Sequence, residues 1–471
     1  MPHAMTTQEV GLLRLLQSLC VLLAQFASLG FMATCVRCFP YFRSATQQHH
    51  GYLFLSLIVP AVGFALCWLL YPVYAPALSQ FLNASQSFIL QENLYVALTM
   101  AFCVLFFSVF DSYARALYDT VTGTFLKEFM LRVFIAIAIL GYFVQWISFP
   151  QFMGLWQLAY LLPTLLMAYQ VWKNGNLFLK PQFAFLTPDL AKELTKISLL
   201  ALFSGFTTQI VLYLDQLMVS GQSGLAQNGV YATLMMFGTV IGMPAQQVYR
   251  ITGTLIADNW KSNDQAAIAD VYEKSCLTLL IIGSFLFVGV MVNLQNILWL
   301  LPPDYRAGGS VIFYIGLGKL FDMATGVNGL ILGTSKYYYY DTIFFIGLIF
   351  LIYWLNHQLI PTYGIEGSAI ATCLSLFLFN LSRTFFVWLK FDMQPFNYKN
   401  GYVLVLALLS WGLVWLVPSV QLPSQLLRFF VDSALRGGLV LLLFGGSIYG
   451  LRLSNEINQT IDGLLKTIKK R

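Results

Sequence analysis

Apolar runs of about twenty residues recur along the chain between short polar connectors, and each is long enough to cross a bilayer as a helix. The pattern predicts thirteen spans, at roughly 9–36, 51–75, 92–120, 126–148, 151–172, 197–220, 227–250, 275–299, 307–333, 338–359, 364–388, 400–418 and 427–451. The runs are continuous rather than alternating. Since only helices and closed barrels satisfy the backbone in lipid, the runs are read as helices. The connector KNGNLFLKPQFAFLTPDLAKELTK, residues 173–196, is one of two that are this long and this polar. Thr187 and Pro188 mark a helix start at its end. Leu190, Leu194 and Ile197 share one face, which predicts a short helix along the membrane surface.

The chain then divides into an N-terminal lobe at 1–172, the connector at 173–196 and a C-terminal lobe at 197–388. Two additional spans at 400–451 and an amphipathic basic tail at 452–471 complete it. The tail places Ile457, Ile461, Leu464, Leu465 and Ile468 on one face and ends KTIKKR, a pattern suited to an anionic inner leaflet. The Tyr337–Tyr340 run beside Lys336 reads as an interfacial aromatic anchor.

Composition excludes a soluble domain of useful size: 58% of residues are hydrophobic, 10% are charged and the mean hydropathy is +0.72. The net charge of +6 reports topology rather than nucleic-acid binding. Most of the 26 basic residues, among them Arg37, Arg43, Lys127, Arg132, Lys192, Lys261, Lys274 and Lys390, fall on alternate connectors and the span ends beside them. The positive-inside rule makes that side cytoplasmic and puts the C-terminus there. The seven cysteines read as small apolar residues, since the lone Cys35-x-x-Cys38 pair has no second pair for a metal. His49 and His50 read as part of a solvated loop. No Walker motif or HExxH is present. No cofactor, metal or nucleic acid is expected.

An internal repeat organises the spans. VFDSYARALYDTVTGTFLK (109–127) and LFDMATGVNGLILGTSK (320–336) both carry Phe-Asp inside a span and Gly-Thr at the next turn. Asp111 and Asp322, Gly123 and Gly333, Gly11 and Gly229, and Gly154 and Gly367 are all separated by about 210–218 residues. Such an offset points to duplication. Transporters built from halves related in this way usually bind at the interface between them, although repeats also arise in membrane proteins with other roles. The first half lacks a counterpart of span 197–220. The expectation is a reading frame that starts late, with about twenty further apolar residues encoded upstream.

Residues 7–42, TQEVGLLRLLQSLCVLLAQFASLGFMATCVRCFPYF, resemble the polysaccharide-export flippases from their second helix onward. These flippases are a branch of the multidrug/oligosaccharidyl-lipid/polysaccharide exporter superfamily. The matching elements are Thr7, Glu9 and Gly11, then Leu29-Gly30, then Arg37 with Phe39-Pro40. YLDQLMV (213–219), NGVYATLMMFG (228–238) and YGIEGSAIAT (363–372) resemble the seventh, eighth and twelfth helices. The chain departs from the family at Cys38, where Tyr is common, and at Gln216, where a basic residue often comes after the aspartate. The resemblance implies a fourteen-helix protein with two six-helix lobes around a V-shaped cavity. It also implies movement of undecaprenyl-pyrophosphate-linked oligosaccharides from the inner to the outer leaflet.

Charges within spans are costly, about 2.5–3.5 kcal/mol each on insertion scales, and so mark candidate sites. Lys319 and Asp322 are three apart on one face; Asp111 and Arg115 are four apart, in the favourable order for an ion pair. Arg14 lies near the outer end of its span and Asp215 in the outer part of 197–220. Two readings stand for the pairs: structural salt bridges, or a hydrated cavity in which cations meet a pyrophosphate. In the second, Lys319, Arg14, Asp322, Asp111 and Arg115 bind substrate and Asp215 is a candidate ion-coupling site.

The resulting expectation is an all-α, polytopic helical membrane protein, with two pseudo-symmetric helical lobes around a central cavity and two extra C-terminal helices. It would be a non-enzymatic flippase of the bacterial cytoplasmic membrane, serving surface polysaccharide or lipopolysaccharide synthesis. Its partners would be the lipid-linked oligosaccharide, the bilayer, and the glycan polymerase or glycosyltransferases of the same pathway. The alternatives are a cation-coupled multidrug exporter of the same superfamily and, ranking below it, a membrane polysaccharide polymerase.

Overall fold

The structure, a computed structural model, describes residues 1–44, 46–80, 84–420 and 424–469. It is all-α, with no strand among the described residues. Among the described residues, seven helices are long and apolar enough to cross a membrane, and an eighth is reached if one bent pair counts as a span. The thirteen predicted spans all coincide with helix, but several are broken. Contacts divide the chain into two compact units, Met1–Gly229 and Val230–Arg471.

The first unit opens with α1 (Thr7–Ala27), α2 (Met32–Arg37) and α3 (Phe39–Phe42). Thr6 and Glu9 form a reciprocal capping box at the start of α1. The predicted span 9–36 is thus not one helix. Leu29 and Gly30 adopt positive φ, which ends α1, and a Cβ on Gly30 would strike the carbonyl of Ser198. Then come α4 (Tyr52–Leu69), α5 (Tyr71–Gln80), α6 (Ala84–Ala116), α7 (Val121–Phe125), α8 (Leu131–Phe143) and α9 (Phe149–Lys173). A π-turn, Leu126–Met130, joins α7 to α8. The unit continues with α10 (Pro188–Ser223). The surface helix expected at its start is instead the first turns of this single 36-residue helix, capped by Thr187 through the Leu190 amide. It packs on α1 and α2.

One core of this unit joins α1, α6 and α9 through residues such as Leu16, Ala97, Phe152 and Trp156. A second, aromatic core gathers Phe39, Phe42, Tyr52 and Tyr113. His49 belongs with it: the residue is 5% exposed and its ring packs 5.4 Å from Phe39, while His50 stacks on Phe185 at 3.8 Å. The solvated-loop reading of these histidines is therefore corrected. Two polar side chains looked like a loop because the aromatic residues that cover them are distant in sequence. All seven cysteines are buried.

Helix α11 (Leu225–Thr239) crosses the division between units. The second unit continues with α12 (Ala245–Lys261), α13 (Gln265–Val292), α14 (Leu294–Leu300), α15 (Gly309–Ala324) and α16 (Asn328–Thr334). The pair α15–α16, predicted as one span at 307–333, bends by 53°. Gly326 takes a positive φ at the bend, where an added Cβ would crowd Cys276. Helix α17 (Tyr338–Phe391) contains two predicted spans, 338–359 and 364–388, meeting at the non-helical Gly364. Last come α18 (Tyr398–Trp415), α19 (Gln425–Val440), α20 (Gly446–Gly450) and α21 (Asn455–Lys469). A second π-turn, Leu441–Gly445, joins α19 to α20. The tail predicted to be amphipathic is helical, whereas Lys470 and Arg471 lie outside the described residues.

The repeat landmarks acquire physical meanings. Gly11 and Gly229 are each other's neighbours. A Cβ on Gly11 would strike the Leu225 carbonyl, and one on Gly229 would lie 2.8 Å from the Gly11 nitrogen. Between them the buried Asn228 amide donates to the Gly11 carbonyl at 3.1 Å. Gly123 touches the Asp111 carboxylate, but its counterpart Gly333 faces Asp341 rather than Asp322. Gly154 meets open space while Gly367 rests on the Leu359 carbonyl, so that landmark shows no shared role.

Candidate functional site in the first unit

The first unit contains a cavity of about 620 Å³ between α1, α6, α8, α9 and α10. Its charged wall lies at the π-turn and the first turn of α8. A π-turn inserts an extra residue and rotates the helix beyond it, and such turns recur at functional sites. Here it brings Lys127, Glu128 and Arg132 to the cavity with Ser108, Tyr160 and Tyr213. Arg132 pairs with Glu128 at 2.5 Å. The wall therefore carries two cations and one anion. Gln17, Gln25 and Gln209 add amide donors and acceptors. Helix α10 closes this wall tightly: Gln25 presses on Gly205, and the Ser18 hydroxyl donates to Gln216 at 3.2 Å. Gln216, where the resembled family often has a cation, is thus used in helix packing.

The charged residues expected from sequence separate into distinct environments. Arg14 is half-buried and reaches Gln17, a cavity residue, at 3.5 Å. Asp111 and Arg115 form an ion pair at 2.9 Å, with the Arg115 side chain 54% exposed. Asp215 is buried in α10. Lys319 and Asp322 share a face of α15, but no ion pair joins them among the described residues. The Lys319 stem packs over Gly242, and Asp322 accepts from the Asn380 amide at 3.0 Å. That bond opens a buried polar chain in which Asn328 donates to Thr384 at 3.1 Å.

Two further ion pairs that are largely buried were not foreseen among the described residues. Arg383 pairs with Asp341 and lies over the Phe379 and Phe345 rings at 4.1 and 4.7 Å. The partners are 42 residues apart, and no local spacing announces them. Asp432 and Arg436 pair at 2.8 Å with i,i+4 spacing inside an apolar run. That is the signal that identified Asp111 and Arg115, and it was available here too. The cavity cations Lys127 and Arg132 were visible in the sequence but read only as topology markers, because a π-turn leaves no pattern in the sequence.

No known family's sequence profile matches the chain. An uncharacterized membrane protein of Methanocaldococcus jannaschii is 24% identical over 273 residues, or 56% of this chain, and the chain spans about half (52%) of that relative's length. The fold is similar to that of the lipid II flippase MurJ in an inward closed conformation. The TM-score is 0.67 at 15% identity, over 94% of this chain and 97% of that one. It is also similar to a multidrug resistance MATE family transporter of the MOP superfamily, with a TM-score of 0.64 at 13% identity over 83% and 91%. A MOP superfamily transporter from Pyrococcus furiosus, described as having a binding pocket of reverse polarity, gives 0.53 at 14% identity over 82% and 88%. These similarities establish the fold as that of the flippase and MATE transporters.

Proposed function

We propose that this protein is a membrane transporter that moves a pyrophosphate-linked lipid oligosaccharide, on a carrier such as undecaprenyl, from the inner to the outer leaflet for surface polysaccharide synthesis. The observation that carries the reading is the first unit's cavity, whose wall holds Lys127, Arg132 and a single carboxylate, Glu128. A net positive, partly hydrated wall within an apolar bundle suits a phosphate ester, because charge-assisted donors are worth about twice a neutral hydrogen bond. A cationic drug would gain nothing from it. The fold shared with the lipid II flippase supports the same direction.

In this reading Lys127 and Arg132 meet the pyrophosphate and Arg14, which reaches the cavity residue Gln17, adds charge beside them; Lys319 is a candidate phosphate contact of the second unit. Asp322, Asp111 and Arg115 contact sugar hydroxyls, while Asp215 couples an ion. The protein works in the bacterial cytoplasmic membrane with its C-terminus inside, beside the polymerase or glycosyltransferases of its pathway. The competing reading, a cation-coupled multidrug exporter, draws on the MATE-like fold and on Asp215, only 2% exposed.

The test measures surface polysaccharide export against membrane abundance in a host deleted for its own copy. Lys127→Arg should retain most export. Lys127→Met combined with Arg132→Gln should lower it by roughly 10–100-fold, the loss expected from charged hydrogen bonds of about 1.5–3 kcal/mol. Undiminished export by the double variant, at normal abundance, overturns the proposal. Loss of drug efflux instead of polysaccharide export favours the exporter reading.

A further inference from the structure

The second unit holds its own cavity, of about 690 Å³, walled by α13, α14, α15, α17, α18 and α19. It lies at the end of the unit that bears the charge-poor connectors, and the function proposed above makes no use of it. We propose that it is a binding site for a neutral saccharide.

Its walls are fixed by one carboxylate. Asp432, 1% exposed, accepts from the Asn296 amide at 2.6 Å, the Val420 amide at 3.0 Å and Arg436 Nε at 2.8 Å. Arg436 then donates to the carbonyl of Val417 at 2.9 Å, closing the turn after α18 against α19. One buried pair thus ties α14, α18 and α19 together around the opening. The site is preorganised, and Asp432 and Arg436 are already used in holding it.

The chemistry facing the cavity comes from Trp299, Tyr314, Glu366, Trp411, Trp415 and Arg428. Trp411 is held by Phe287, 6.0 Å away edge-on, and by Phe313 at 6.3 Å. Charge selects the class of ligand. Glu366 balances Arg428, and Asp432 balances Arg436, so the cavity has no net formal charge to attract a pyrophosphate or a cation. What is present is a set of large aromatic faces with a carboxylate acceptor and a guanidinium donor at the margins. Pyranose rings have that complement: one C–H face that packs on an indole, and hydroxyls at the rim that both donate and accept. The volume falls within the range of small-molecule sites and leaves room for more than one ring. A belt of interfacial tryptophans would also place Trp415, 69% exposed, at this depth. It would not place a Glu and an Arg in the same concavity as the half-buried Trp411 and Trp299.

The experiment applies the purified full-length protein in nanodiscs to a printed array of microbial glycans that carry neither lipid nor phosphate. The expected result is binding to a subset of neutral glycans, weakened roughly tenfold by Trp299→Ala and by Glu366→Gln and less by Trp299→Phe. Each variant is checked for a monodisperse size-exclusion profile, and the Phe and Gln variants preserve the test if the Ala variant fails to fold. No array binding, or binding indifferent to all three substitutions, overturns the inference. So does native mass spectrometry showing a retained phospholipid that Trp299→Ala releases, since an acyl chain is then the occupant. Transport without array binding would leave the transport proposal standing and remove this one, and array binding without transport would do the reverse.

Discussion

The contact between Gly11 and Gly229 makes a quantitative prediction about how α1 and α11 are held together. Each glycine lies against the other helix's backbone, so an added methyl meets atoms that cannot rotate away. Gly11→Ala or Gly229→Ala should force the helices apart at an overpacking cost of about 1–3 kcal/mol. Separation also stretches the buried hydrogen bond from Asn228 to the Gly11 carbonyl, about 1 kcal/mol more. Each single variant should then lose about 2–4 kcal/mol. The double variant should lose little beyond the worse single, because the first methyl has already opened the contact. That amounts to a coupling of about 2–4 kcal/mol, the size of the smaller single loss. Unfolding of a protein of this kind is read best as a rate. The assay is the half-life of the monodisperse fraction in detergent at a fixed elevated temperature, tracked by fluorescence-detected size exclusion. A loss of about 2 kcal/mol that falls wholly on the unfolding barrier shortens the half-life on the order of 30-fold. Strictly additive effects, or single variants as durable as the parent, would refute the contact.

Arg383→Met should destabilise by about 3–5 kcal/mol by leaving Asp341 uncompensated, and Asp341→Leu added to it should recover much of that loss, as read by the same half-life. Lys319→Met should abolish export at normal abundance while Lys319→Arg retains part of it, and full export by Lys319→Met would return that residue to a packing role. In a cysteine-free background, Ser262→Cys and Thr334→Cys, both at exposed positions, should react with an impermeant thiol reagent only from the cytoplasm, and Gln80→Cys only from outside. Labelling of position 262 from the outer face would reverse the orientation.

Much of this architecture was legible in sequence because lipid imposes a coarse rule, that every span must be helical and apolar. All thirteen predicted runs are helix, and the offset that pairs Gly11 with Gly229 proves to be a contact. What escaped was local geometry that depends on distant partners. The breaks at Leu29–Gly30 and Thr325–Val327 are set by tertiary packing and not by proline. The surface helix merged into α10 because nothing between Lys196 and Ile197 could stop it. At the candidate site, i,i+4 spacing correctly paired Asp111 with Arg115. The i,i+3 spacing of Lys319 and Asp322 misled, because the Lys319 stem packs over Gly242 while Asn380 from another helix supplies a donor to that carboxylate. Lys127 and Arg132 were read for their charge alone, since the π-turn that brings them to the cavity is invisible in residue spacing.

The most direct measurement of the central claim is translocation in proteoliposomes. Purified protein would be reconstituted with a fluorescent undecaprenyl-pyrophosphate oligosaccharide, and its appearance in the opposite leaflet monitored with an impermeant quencher. The account predicts translocation that is strongly reduced by Lys127→Met with Arg132→Gln, and no movement of a cationic dye in the same vesicles. Dye transport with an unmoved lipid pyrophosphate would contradict it.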